Sequence, residues 1–360
     1  MQPFKILAGG YDVFVTTYLF DPTTSSLSIA SRSPTGTDCS WISQHPTNAS
    51  ILYATNETPS GALQSFTINS DGTLSPAQDT IPSEGDLPAF AAALSTGRVG
   101  VMNYDTGNGR IIPTNGSPLV FDESAPLITF PRKPGTVSHP HMLLEHGDEI
   151  LVPDLGQDTI WRLVQNPDDP ASFTIQGSIP QPEGSGPRHI AIFEDRLYTI
   201  HELSSTLTVQ KIPSAPNGTS TIISDVSIVP PNPPAGASFA AAELLIPART
   251  KRFPKSYIYA SNRNIGVQDS RGDAIAIFEV LDKGTKHERL QLVKHVFTGL
   301  DQIRGMEFGS VKDGGEEFLM AAGVAGNGGT IVLKRIKGGR DLEIVARNLE
   351  IPTRTTFVWL

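Results

Sequence analysis

Cysteine is nearly absent from this chain: Cys39 is the one copy in 360 residues. An intramolecular disulfide is therefore impossible, and so are zinc sites built on several thiolates. Basic charge is also in short supply. Lysine and arginine number 28 against 37 aspartate and glutamate, a net charge of -9. A general binder of the nucleic-acid backbone needs a basic face, so no nucleic-acid partner is expected. No apolar run approaches membrane-span length, and Ile6–Gly9 is too short for a signal-peptide core. No segment keeps a helical apolar period over three turns. These absences point to a soluble cytoplasmic protein with no membrane partner.

Turn formers are plentiful instead. Glycine (33) and proline (29) make up about one residue in six, against roughly one in eight in an average chain. A short apolar run ending in small or polar residues recurs through the chain. It reads Ile6-Leu7-Ala8-Gly9-Gly10-Tyr11-Asp12, then Ile51-Leu52-Tyr53-Ala54-Thr55-Asn56-Glu57. Further copies start at Val99, Ile150, Leu197, Ile258 and Phe318. The seven copies lie roughly 45 to 61 residues apart, the spacing of propeller blades. Each is followed by a second strand-like segment, such as Thr206-Leu207-Thr208-Val209 or Thr330-Ile331-Val332-Leu333. Five are preceded by a third piece, as in Ser40-Trp41-Ile42, His141-Met142-Leu143-Leu144 and Arg188-His189-Ile190. One such meander cannot bury both its faces, but radial stacking does so. The expected fold is all-β: a seven-bladed β-propeller of four-stranded antiparallel blades, forming a single domain over residues 1–360. The terminal strand Thr355–Leu360 is expected to share one blade with the N-terminal strand and close the ring. Two stacked β-sandwiches would not require seven regular copies.

Topology then selects residues. The start of each innermost strand and the end of the next strand lie at one rim, and the seven rims converge on one mouth of the central channel. Innermost-strand starts supply Trp41, His139, His141, Arg188, His189, Glu243 and Arg304. Second-strand ends supply Glu57, Asn103, Asp105, Asp154, His201, Glu202, Asn262 and Arg263. Each residue alone is as well explained by hydrogen bonding between blades. Three arginines at one mouth, however, point to an anionic ligand.

The segments Ser138-His139-Pro140-His141, Gly184-Ser185-Gly186-Pro187-Arg188-His189, His201-Glu202-Leu203-Ser204-Ser205-Thr206 and Ser261-Asn262-Arg263 resemble motifs of the lactonase family of seven-bladed propellers. That family includes propeller-type 6-phosphogluconolactonases and 3-carboxy-cis,cis-muconate lactonising enzymes. The likeness spans essentially the whole chain and is weakest in the second blade. The resemblance implies a site of one histidine, one glutamate and two arginines: His141, Glu202, Arg188 and Arg263. His139, Asp154, His201, Glu243, Arg304, Glu57 and Trp41 are candidate substrate-binding residues around them. It implies no cofactor and no metal, although a site from His139, His141, Asp154 and Glu202 is chemically conceivable.

The expected chemistry is lactone opening. His141 would act as general base or acid with Glu202 as its partner, and Arg188 and Arg263 would clamp the anion. The reverse type of reaction, lactone formation from a carboxy-muconate, needs the same groups. A non-catalytic scaffold and an enzyme of specialised metabolism are the other readings. No Gly-x-Ser-x-Gly elbow is present, which disfavours a covalent serine mechanism. The expected partner is a small anionic lactone or carboxylic acid, bound by a monomer or weak oligomer.

Overall fold

The computed structural model describes residues 2–360. Among these the strands form seven four-stranded antiparallel sheets, and the helical content is two short 3-10 turns at Gly315–Glu317 and Lys337–Gly339. Numbered along the chain, blades 1 to 6 span residues 42–82, 88–129, 144–180, 187–227, 239–297 and 301–348. Blade 7 is composite. Its innermost strand is Thr356–Trp359, followed outward by Phe4–Gly9, Phe14–Asp21 and Ser26–Pro34. The seven-bladed propeller expected from the repeat is the observed fold.

The recurring apolar run is the second strand of each blade, counted from the channel. It reads as continuously apolar because both of its faces are buried. Side chains alternate between faces, so successive residues enter different cores. In Ile51–Asn56, Leu52 and Ala54 pack toward blade 7, whereas Ile51 and Tyr53 pack toward blade 2. In Arg196–His201, Leu197 packs toward blade 3 and Tyr198 toward blade 5. Seven hydrophobic clusters result among the described residues, one between each pair of neighbouring blades. The innermost strand of the second blade, Pro88–Ala93, is mostly alanine, which lacks strand character.

Ring closure follows the expected pairing, with Ile6 opposite Trp359 and Gly9 opposite Thr356. Arg354, fully buried, anchors the returning chain. It donates to Asp12 Oδ2 (2.7 Å) and Thr16 Oγ1 (2.8 Å), and its guanidinium lies 4.8 Å from the Phe14 ring centroid. Trp359 and Phe357 fill the core between blades 6 and 7.

One irregularity recurs in the innermost strands. The ladder slips between Pro88 and Phe90, between Pro187 and His189, and between Ile303 and Gly305. The extra residues are Ala89, Arg188 and Arg304. A bulge re-aims a side chain without ending the strand. Here it turns these residues into the channel.

Replacing Phe357 with alanine should cost roughly 3–5 kcal/mol, the usual range for a buried phenylalanine. Urea unfolding measures this. An unchanged midpoint would mean that the last strand lies outside the cooperative unit.

Candidate active site

At one mouth of the channel, Tyr11, Glu57, Ala89, Tyr104, His141, Arg188, Glu202, Arg263 and Arg304 line a cavity of about 210 Å³. The three bulged residues are among them. Glu57, Tyr104 and Glu202 each stand one position beyond the end of a second strand, and Arg263 is the penultimate residue of its own.

Glu202 sits between two guanidinium groups. Its Oε2 accepts from Arg188 Nη1 at 2.5 Å, and its Oε1 lies 2.7 Å from Arg263 Nη2. Burial raises the pKa of this carboxyl, but Arg188 and Arg263 outweigh burial and hold it below its ordinary value. Arg263 is lowered by its own burial and by the neighbouring charge of Arg188. Next to this trio, Glu57 accepts from Arg304 Nη2 at 3.0 Å and from the Tyr11 hydroxyl at 2.9 Å. Burial pushes Glu57 up to about 7, against a hydrogen bond with Ser40 and the charges of Arg188 and Arg263, and burial pushes Arg304 down to about 10. Arg188 keeps Nε and Nη2 without partners among the described residues, and Arg263 and Arg304 each keep Nε. The Nε and Nη2 of one arginine form a fork that matches a carboxylate or phosphate edge.

His141, 2% exposed, reaches this cavity from blade 3. Burial, then the charges of Arg188, His189 and Arg263, holds its pKa well below the ordinary histidine value, so the ring is neutral at pH 7. Its Nδ1 lies 3.2 Å from His189 Nε2. The partner expected from sequence was Glu202, and that expectation is corrected here. Both Glu202 oxygens engage arginines, and the imidazole next to His141 belongs to His189.

A second cavity, of about 420 Å³, lies deeper in the channel, with Trp41, Phe90, Met142, His189, Glu243 and Glu307 in its wall. Trp41 and Glu243, expected at the mouth, are here instead. Trp41 packs on Phe90 at 4.5 Å and edge-on to His189 at 5.6 Å. Glu243 Oε2 lies 3.2 Å from His189 Nδ1. Burial and the charge of Glu243 push Glu307 up to about 8.

Three further candidates are structural. Asp154 is fully buried and accepts from Ser138 Oγ, Trp161 Nε1 and the backbone amides of His139, Gly156 and Gln157. His201 turns away from the cavity, its Nε2 lying 2.9 Å from Thr208 Oγ1, and burial lowers it to about 4. His139 stacks on Tyr104 at 4.4 Å, with Nδ1 2.7 Å from the Tyr104 carbonyl oxygen. Among the described residues no three His, Cys, Asp or Glu side chains converge as metal ligands.

Sequence reasoning missed Tyr11 and Tyr104. A one-residue parity explains the second. In Asn56-Glu57, Asn103-Tyr104, Asp154-Leu155, His201-Glu202 and Asn262-Arg263, the first residue bonds between strands or is buried within the blade. The second faces the channel in the pairs that build the site. Asn103 donates to Ser83 O and Asn262 to Ile228 O, for example. Applying the period of two to the strand ends would have selected Tyr104 over Asn103 and Asp105.

The fold is a seven-bladed β-propeller, and one of its cavities brings together three arginines, two carboxylates and a histidine. The sequence matches the model of the lactonase, 7-bladed beta-propeller family over residues 5–359, and the chain belongs to that family. No curated protein matches it. Solved structures with the same fold include the periplasmic gluconolactonase of Pseudomonas aeruginosa, at 19% identity and TM-score 0.82, covering 100% of this chain and 99% of that one. A candidate 6-phosphogluconolactonase of Bacteroides fragilis has 21% identity and TM-score 0.80, covering 100% and 98%. A Lactobacillus plantarum protein has 20% identity and TM-score 0.80, covering 100% of both chains. Among the described residues no helix is long and apolar enough to cross a membrane.

The depressed pKa of His141 has a signed consequence. Its folded value lies below the unfolded value of about 6.5. The unfolded chain therefore binds the proton first as pH falls, and stability is lost below about pH 6.5. His141→Gln removes this term. Relative to the variant, wild type should lose stability between pH 6.5 and 5 and hold a constant difference above pH 7. Chemical denaturation at each pH checks it.

Proposed function

We propose that this protein is a lactone hydrolase of the 6-phosphogluconolactonase type, working on a small anionic sugar lactone at the mouth described above. The observation that carries the reading is the grouping of a buried imidazole held uncharged with Arg188, Arg263 and Arg304 around one small cavity. An uncharged imidazole is the form a general base requires at neutral pH. A cavity of about 210 Å³ suits a small acid better than a drug-sized ligand.

In this reading the substrate's phosphate or carboxylate pairs with the guanidinium groups of the arginines. A water molecule adds to the lactone carbonyl as His141 Nε2 accepts its proton. Arginine N–H groups stabilise the negative charge that develops on the carbonyl oxygen. The ring C–O bond then breaks, and the imidazolium returns the proton to the departing oxygen. The product is the open hydroxy acid. Glu202, held ionised between Arg188 and Arg263, is not available as a proton donor. Its role is to keep the two guanidinium groups parallel to the substrate site. The cyclising reaction of a carboxy-muconate needs the same anion clamp and a proton at carbon, and forms the second arm of the test.

Proton NMR of 6-phosphoglucono-δ-lactone opening tests the reading directly. Wild type should accelerate opening. His141→Ala should lower kcat by about 10²–10⁴, and Arg188→Ala should lower kcat/KM by about 10²–10³, both with an unchanged fold by circular dichroism. Absence of acceleration would sink this substrate, and turnover of a carboxy-muconate in its place would establish the cycloisomerase. Inertness toward both would point to a scaffold.

A further inference from the structure

The floor between the two channel cavities is an unbroken chain of titratable side chains. His141 faces the upper cavity, His189 and Glu243 face the lower one, and the links are His141 Nδ1 to His189 Nε2 and His189 Nδ1 to Glu243 Oε2, each 3.2 Å. All three residues are almost fully buried, at 2%, 3% and 4% exposure. Water therefore does not compete for these bonds.

We propose that Glu243 and His189 are positioning residues that set the tautomer of His141 through these two buried hydrogen bonds and leave its bare Nε2 facing the substrate cavity. The inference rests on the reading of His141 as the base. The logic is one of donors and acceptors. A carboxylate only accepts, so His189 must carry its proton on Nδ1. With a single ring hydrogen, placed on Nδ1, His189 offers Nε2 as its acceptor. That nitrogen faces His141 Nδ1, which must therefore be the donor. His141 has one hydrogen, and it is now used. Its Nε2 is left with a lone pair and no alternative role. The ring hydrogen bond thus decides which nitrogen does the chemistry.

Packing holds the chain in place. Trp41 and Phe90 lie edge-on to His189 at 5.6 and 5.8 Å, and Tyr104 lies edge-on to His141 at 5.8 Å. The Glu243 amide is itself held by Ser261 Oγ at 3.0 Å. The ladder of blade 5 breaks between Ala241 and Leu244, which frees Glu243 to enter the channel. The chain also has a second effect. When Nε2 takes a proton from the attacking water, the new positive charge on His141 lies two hydrogen bonds from a carboxylate. Arg188 and Arg263 oppose that charge, whereas Glu243, through its hydrogen bond to His189, favours it. No proton needs to leave His141 for this to help, and the proton gained returns to the ring oxygen of the substrate.

The test has two arms on the full-length protein. The first reads ring nitrogens by long-range proton–nitrogen NMR between pH 5.5 and 8.5, with His141→Gln and His189→Gln used for assignment. Both rings should show a protonated Nδ1 and a bare Nε2, opposite to the tautomer that histidine prefers in water. The second arm follows lactone opening by Glu243→Gln. Its kcat should fall about 10- to 100-fold, within the span of general-base effects. KM should stay within about twofold, as expected for an interaction that matters only in the transition state. The acid limb of the pH profile should move to lower pH, because the carboxylate charge that favours imidazolium is gone. A structural role alone would leave that limb in place. A protonated Nε2 on His141, or an unmoved acid limb, overturns the proposal. The ring spectra need no substrate. A reversed tautomer therefore removes the relay even in an active lactonase, and the expected tautomer upholds it even if no lactone is opened.

Discussion

A propeller blade has no solvent-facing side. Each sheet is packed against a neighbour on both faces, and the period of two in a strand delivers alternate side chains to two separate cores. Leu52 and Tyr53 show this in adjacent positions. With both faces occupied by packing, polar chemistry is confined to the edges and ends of strands. The innermost edges meet at the channel, and the second-strand ends meet at its mouth. The location of the site follows from this confinement, and so does the dependence of the whole ring on the closing strand Thr356–Trp359 and its buried anchor Arg354.

The channel is an expensive place for charge. Buried ions lose hydration that is recovered only with good partners. The mouth meets this with alternating signs: Arg188, Glu202 and Arg263 in one group, and Arg304 with Glu57 in another. Cation neutralisation is left incomplete on one side, where the edge of Arg188 keeps two unpartnered donors. His141 adjoins this positive field and is kept neutral first by its own burial and then by these charges. The same arginines thus attract an anion and keep the base unprotonated. One electrostatic arrangement serves both needs. Below, two hydrogen bonds link His141 through His189 to the carboxyl of Glu243.

Much of the fold was legible from the chain, because propeller blades repeat and repetition is visible without contacts. The second strands stood out since they are buried on both faces. The innermost strand Pro88–Ala93, being alanine-rich, did not, whereas the terminal strand Thr356–Trp359 was legible as the one that closes the ring. The site was legible in part. His141, Arg188, Glu202, Arg263, Glu57 and Arg304 share one cavity, as their strand-end positions implied. Trp41 and Glu243 belong to the cavity below, Asp154 and His201 to the framework, and His139 to a stack on Tyr104.

The amino-acid sequence by itself determined the blade count, the antiparallel meander and the rim on which titratable groups gather, because those depend on local alternation and on the spacing of turns. Only the tertiary structure decided which of two neighbouring residues enters the channel, and at which depth. Arg188 and His189 are adjacent in sequence, yet they line different cavities. A one-residue bulge turns both toward the axis, and the register of a bulge is set by pairing with a distant strand rather than by the residues themselves. Partner choice is likewise a matter of three-dimensional packing. His141 meets His189 and not Glu202 because two arginines already hold both carboxylate oxygens.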